Sequence, residues 1–190
     1  TPPIFTTAPV IARWGLPEQV VETPAPGLFE NVIATADADT LRGSDEDNRL
    51  EGRDQNDVLY GLGGDDDLVG GDDDDLYIIE DGFGSDVVIE FPGGGLNDVM
   101  DFTAVTLSLM FTIGTEIHVT DGANQVFHDG LEIESVLGGA SLTDTLISGN
   151  GNNVWIIDGV DTGTLNGVAF SGIESLQGGS DNDTFIFLPG

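Results

Sequence analysis

Residues 43–78 read GSDEDNRLE, GRDQNDVLY, GLGGDDDLV and GGDDDDLYI when cut every nine residues, and the cut aligns two columns. The sixth position holds Asn48, Asp57, Asp66 and Asp75, and the eighth holds Leu50, Leu59, Leu68 and Tyr77. Upstream, ATADADTLR over 34–42 adds Asp39 and Leu41 to the same columns. Downstream, after Ile79 and Glu80, the register returns as DGFGSDVVI with Asp86 and Val88, and after Glu90 to Pro92 as GGGLNDVMD with Asp98 and Met100. A fixed short period with one acidic and one apolar column points to a solenoid, where no unit can bury its apolar residue except against its stacked equivalents.

A nine-residue unit suits half a coil, with a turn and a short strand, so two units make one flattened turn with a sheet on each side. Successive units then fall on opposite edges. Leu41, Leu59 and Tyr77 are expected on one inner face, and Leu50, Leu68 and Val88 on the other. Glycine early in the unit supplies positive φ and lets backbone carbonyls crowd without Cβ clashes.

Stacking such turns places the sixth-position side chains of units two apart over one another. The expected pairs are Asp39 with Asp57, Asp57 with Asp75, Asn48 with Asp66, and Asp66 with Asp86, with Asp98 and, in a later unit, Asp183 in the same role. Ca²⁺ takes about six to eight oxygen ligands, a demand that carboxylates from two stacked turns plus turn carbonyls can meet and one turn cannot. The later pairs should bind better, because Asn48 is neutral and the unit at 34–42 lacks turn glycines. Asp45, Asp54 and Asp72, at position three, are further candidate ligands, with simple solvation as the alternative.

Composition agrees with this chemistry. The chain has 35 acidic residues against 4 basic ones, a formal charge of -31, and no cysteine. Seven of the eleven residues from Asp65 to Asp75 are Asp, a density that is hard to fold without cations. Such a chain repels nucleic acid and anionic membranes. Its 39% hydrophobic content and mean hydropathy of +0.03 exceed what a disordered acidic tail carries. No apolar run approaches membrane-spanning length. Thr1 in place of Met suggests a matured chain or a piece of a longer one.

Nothing in the sequence assembles a catalytic constellation. The histidines are His118 and His128, and there is neither a His-Glu-x-x-His zinc motif nor a Gly-x-Ser-x-Gly elbow. The recurring carboxylates follow a structural period instead of converging in one cleft, so no enzyme activity is expected.

Around the regular units, residues 1–33 carry six of the eight prolines and read as an extended arm, with Trp14 as a possible anchor. Residues 34–101 form the acidic block. Residues 102–190 form a less regular β-solenoid block: FTIGTEIHVTDGANQVF, from Phe111, is strand-and-turn sequence. IESVLGG at Ile133 and IESLQGG at Ile173 then lead into DTL at Asp144 and DTF at Asp183. Between them SGNGNNVWI places Asn153 and Trp155 in the two diagnostic columns, with Trp155 expected in the core.

The units GLGGDDDLV and GGDDDDLYI resemble the GGxGxDxUx nonapeptide of the RTX (repeats-in-toxin) family, a Ca²⁺-binding β-helix repeat. The resemblance is close over 43–101, looser at 34–42 and patchy after 130, where GGSDNDTFI is again a good unit. Departures are Arg53 and Leu62 at early glycine positions, and Glu46, Gln55 and Asp73 at the fourth. The resemblance implies an all-β parallel β-roll, bacterial export, folding on meeting external calcium, and service as a module in toxins, enzymes, adhesins or surface layers. The second block also resembles repeats of large bacterial surface adhesins.

Together these readings predict a secreted, calcium-stabilised structural scaffold, holding about three to six Ca²⁺ ions in two-carboxylate sites. Its open sheet ends would associate end to end with a second copy or a neighbouring domain, as in a filament, surface layer or adhesin. The alternatives are the RTX segment of a secreted hydrolase or toxin, and an adhesive module binding a ligand through 102–190.

Overall fold

A computed structural model describes Val10–Ile11, Gln19–Glu22 and residues 31–189, and among these residues there is no helix. The first ten strands are β1 (Val10–Ile11), β2 (Gln19–Glu22), β3 (Asn31–Ile33), β4 (Asp39–Arg42), β5 (Arg49–Arg53), β6 (Val58–Tyr60), β7 (Asp67–Gly71), β8 (Leu76–Ile78), β9 (Ser85–Ile89) and β10 (Val99–Asp101). Odd-numbered strands lie in one sheet and even-numbered strands in the other, each parallel to its neighbour one coil away. This is the β-roll.

Strand alternation carries every eighth residue inward. In the even sheet Leu41, Leu59, Tyr77 and Met100 stand in register, and in the odd sheet Val32, Leu50, Leu68 and Val88 do. All eight are buried. Burying a Leu or Val contributes about 1.5–3 kcal/mol, so the two columns are the main apolar gain of the acidic block.

The roll reaches further upstream than a boundary at residue 33 allows. Asn31–Ile33 is a regular strand with Val32 opposite Leu50, and the backbones of Val10–Ile11 and Gln19–Glu22 pair onto β3 and β4. The six arm prolines and Trp14 lie outside the described residues.

Beyond β10 two antiparallel meanders interrupt the parallel ladders of the roll, in the block expected to be less regular. The chain crosses residues 102–109 to β11 (Met110–Ile113), then returns through β12 (Ile117–Thr120) and β13 (Gln125–His128) as an antiparallel meander that ends beside β9. The remaining strands are β14 (Ser135–Leu137), β15 (Thr145–Ser148), β16 (Val154–Gly159), β17 (Thr162–Leu165), β18 (Val168–Ser171), β19 (Ser175–Gln177) and β20 (Thr184–Phe187). Of these, β16 to β18 form a second meander, in the even sheet. Parallel ladders resume on either side, β15 on β11, β19 on β15, β14 on β10 and β20 on β16. Short turns such as those at 114–116 and 121–124 permit antiparallel return where a crossover to the opposite sheet would need more chain. Each meander fills three places in its sheet, so both sheets reach ten strands.

Aromatic residues fill the wider core of this half. Phe102 meets Phe83 and Phe111 edge-on at 6.2 and 5.4 Å, while Trp155 stacks on Phe185 at 5.1 Å. His128 is buried in β13, its Nδ1 3.1 Å from the Val88 carbonyl oxygen and its Nε2 3.3 Å from Glu132 Oε2. His118 lies on the neighbouring strand beside Gln125 at 3.2 Å.

The departures from turn glycine keep the turn conformation at a cost. Arg53 has φ 100°, opposite Gly71 at φ 127°. Gly71 can have no side chain, since a Cβ there would strike the Arg53 carbonyl. Arg53 is exposed and joined only by a loose 3.8 Å pairing with Glu51. Arg53→Gly should therefore raise stability by about 1 kcal/mol, the cost of holding an L-residue at positive φ. Thermal unfolding in calcium would show a higher midpoint, and an unchanged or lower one would contradict the strain.

Candidate metal centre

The sixth-position residues lie at strand entrances, and the coil stacks them into two ladders, one per edge. Each carboxylate accepts, through Oδ1, the backbone N–H of its equivalent one coil earlier: Asp57 from Asp39, Asp66 from Asn48, Asp75 from Asp57 and Asp98 from Asp75, all at 2.7 Å, and Asp86 from Asp66 at 3.1 Å. All four pairs read from the sequence are brought together, and Asp75 with Asp98 is a fifth. Glu134 extends the first ladder by accepting from the Asp98 N–H at 2.8 Å.

One oxygen per carboxylate is thereby satisfied, and the other is not. Oδ2 of Asp57, Asp66, Asp75 and Asp86 is buried without a hydrogen-bond partner, as is Oε2 of Glu90. A buried, unpaired carboxylate oxygen is expensive and normally implies a counter-charge. Among the described residues the arginines do not supply it: Arg42 pairs with Glu80, Arg49 with Asp67 and Arg53 with Glu51, all partly exposed.

The space beside these oxygens suits a hard cation. A Cβ on Gly61 would lie 2.5 Å from Asp66 Oδ2, and one on Gly52 would press on Asp57 Oδ2 while sitting 2.8 Å from the Gly70 carbonyl oxygen. Glycine thus keeps open the place where carboxylate and carbonyl oxygens of adjacent coils converge. Such an all-oxygen donor set is the kind Ca²⁺ takes.

The N-terminal rungs are different. Asp39 Oδ2 accepts from the Thr35 N–H at 2.8 Å and its hydroxyl at 2.7 Å, and Asn48 Oδ1 accepts from the Ser44 N–H at 2.6 Å. There the chain's own donors satisfy oxygens whose equivalents lower in the stack are unpartnered. Asp45, Asp54 and Asp72 are exposed and stand outside the ladder. Position five builds a second, outer ladder: Asp47 accepts from the Asp65 N–H at 2.9 Å, Asn56 from Asp74 at 3.3 Å, and Asp65 from Ser85 at 3.0 Å. Its signal was the unbroken column Asp47, Asn56, Asp65, Asp74.

In the second block the stack recurs with protein donors in place of orphans. Asp144 accepts from the N–H groups of Leu109 and Gly139, both at 2.8 Å, and its own N–H donates to Glu174 at 2.9 Å. Asp183 is half-buried and faces Asn153, whose amide donates to Asp183 Oδ1 at 2.7 Å and to the carbonyls of Gly149 and Gly151 at 2.9 Å. A neutral NH₂ bridges carboxylate and turn carbonyls here.

Burial has the opposite effect on the orphaned group. Loss of solvent pushes Asp57 and Asp66 up to about 7, and Asp75 and Asp86 to about 8, from an ordinary 3.8. With no cation bound, the folded chain holds protons that the unfolded chain releases, so stability is greatest below the ordinary value and is lost as pH rises through about 7 to 8. Urea midpoints of the calcium-free protein should therefore fall between pH 5 and pH 8. A midpoint that rises over this range would contradict buried carboxylates.

Comparison with known families gives one match. A family model for the RTX calcium-binding nonapeptide repeat matches in four copies, over residues 30–52, 42–77 and 168–186. No curated protein matches the chain. The matched segments contain the ladder from Asp39 through Asp75 and, at 168–186, the turn that holds Asp183 against Asn153. Periodic acidic turns, orphaned buried oxygens and the family match agree that this chain carries RTX-type calcium-binding nonapeptide repeats over the matched segments.

Proposed function

We propose that the protein is an extracellular structural scaffold, without catalytic activity, whose acidic coils become compact by taking up about three to six Ca²⁺ ions. The observation that carries this reading is the set of orphaned oxygens on Asp57, Asp66, Asp75 and Asp86, stacked along the two edges of the roll. Their charge opposes folding until a cation offsets it, so ion uptake and folding are one equilibrium. RTX repeats are typical of secreted bacterial proteins, which supports an assignment outside the cell, where calcium is plentiful.

Circular dichroism with and without EDTA, coupled to metal analysis, tests the reading. The β signal should weaken on chelation, melt at a much lower temperature, and recover with calcium. A calcium-free chain as stable at neutral pH as the calcium-loaded one overturns it.

The scaffold role includes contact at the end of the roll. Strands β19 and β20 are the outermost of their sheets, and Phe185, Ile186, Phe187 and Leu188 are 40%, 42%, 74% and 49% exposed. Exposed apolar residues on an open strand edge favour association with a second copy or a neighbouring domain. Light scattering in calcium should show growth with concentration, and a strict monomer counts against self-association.

A further inference from the structure

Where the spacer at Glu90 breaks the nine-residue register, a third carboxylate enters the ladder. Asp75, Glu90 and Asp98 are all buried and each brings an oxygen within 4.8 Å of the others'. Asp75 and Asp98 are successive rungs of one edge, whereas Glu90 follows directly on β9 of the opposite sheet. Among the described residues no other trio of His, Cys, Asp or Glu converges as closely.

Two of the oxygens have nothing to bind. Asp75 is 1% exposed with Oδ2 unpartnered, and Glu90 is 7% exposed with Oε2 unpartnered. The other Glu90 oxygen is held, because the Tyr77 hydroxyl donates to Oε1. Tyr77 is fully buried in a column whose other members are Leu41, Leu59, Met100 and Val136. A phenol set into an apolar column needs an acceptor, and Glu90 is the one it has. Gly70 leaves the room for this arrangement, since a Cβ there would strike Glu90 Oε1, Asp75 Oδ2 and the Tyr77 hydroxyl together.

We propose that Glu90 completes, with Asp75 and Asp98, a three-carboxylate site for one Ca²⁺-sized hard cation, distinct from the two-carboxylate turns, with Tyr77 as its positioning residue. The inference rests on the calcium reading above and adds a ligand that lies outside the nonapeptide. Affinity for Ca²⁺ follows ligand charge and site rigidity, and this site exceeds the others in both: it has one more carboxylate, and a phenol bound to Oε1 holds that carboxylate with Oε2 free. The ion it takes is therefore the first bound, and it ties the spacer after β9 to the strand entrances of the facing sheet.

The test titrates the calcium-free full chain with Ca²⁺, and separately with Tb³⁺ while exciting tyrosine. Glu90→Gln should weaken the first binding step by about tenfold or more and leave the later steps in place. An unchanged first step overturns the proposal, and so does equal weakening of every step. Tyr77→Phe, which suits the apolar column, gives an independent reading should the glutamine variant not fold. The tyrosine-sensitised emission from the first equivalent of Tb³⁺ should drop sharply in that variant, and undiminished emission overturns the proposal. Binding of no Ca²⁺ by the native chain would overturn the calcium reading itself. Binding with a first step indifferent to Glu90 would overturn only this site.

Discussion

Asp66→Asn is expected to make the calcium-free protein more stable and the calcium-loaded protein less stable. The substitution keeps Oδ1, which accepts the Asn48 N–H at 2.7 Å, and replaces the orphaned Oδ2 with an NH₂. Burial has pushed Asp66 from 3.8 to about 7, so without calcium its ionisation in the fold at neutral pH works against folding. A neutral amide removes that cost, a gain on the order of 3 kcal/mol. In calcium the sign reverses, because the same edit deletes one carboxylate from an ion site and should weaken that ion's binding by about tenfold or more. Urea unfolding of both proteins, in chelator and in calcium, reads the two signs directly. A change of the same sign in both conditions would show that Asp66 does not face a cation.

The crossing of signs is what separates a ligand ladder from a merely acidic surface. Asp67, one residue on, is exposed and paired with Arg49 at 3.2 Å, and Asp67→Asn should change little in either condition. At the sixth positions Asp57, Asp66, Asp75 and Asp86, by contrast, the second oxygen is stripped of both water and protein donors.

How far the ladder could be read in advance depended on the spacing. Asp39, Asp57 and Asp75 recur at a constant interval of 18 residues, so the stacking partner follows from arithmetic. The same arithmetic places Leu41 over Leu59 and Leu50 over Leu68. It fails for Asp144, whose backbone partner Leu109 lies 35 residues away because a meander intervenes. FTIGTEIHVTDGANQVF announces strands and turns, but alternation does not say whether a strand pairs with its neighbour in sequence or one coil away. That choice is made by turn length and by the Phe102, Phe83 and Phe111 cluster around which the meander closes. Glu90 was hidden for another reason. In sequence it ends a strand and looks like a register break, and only folding brings it against two carboxylates at the strand entrances of the facing sheet. The outer column at position five looks like solvated turn until stacking sets Asp65 under the Ser85 N–H at 3.0 Å.

Asn153→Asp makes the reciprocal change and is expected to convert a calcium-indifferent turn into a calcium-dependent one. The native amide NH₂ shares its two N–H donors among the carbonyls of Gly149 and Gly151 and Asp183 Oδ1, so one neutral group serves three oxygens. Aspartate removes all three donated bonds and sets a second carboxylate against Asp183, a loss on the order of 3 kcal/mol or more without a cation. The Asn153 carbonyl oxygen, which accepts from Asn166 at 2.8 Å, survives as a carboxylate oxygen, so the outer contact of the turn is retained. Two carboxylates and two turn carbonyls are then in place, an all-oxygen set of the kind Ca²⁺ takes, and calcium should recover most of the loss. The readout is the difference between thermal midpoints in calcium and in chelator, which should widen in the variant relative to the native protein. Equal destabilisation in both conditions would mean that the turn at 149–153 cannot accommodate an ion. The amide would then be a structural replacement for a site, with no cation chemistry to recover.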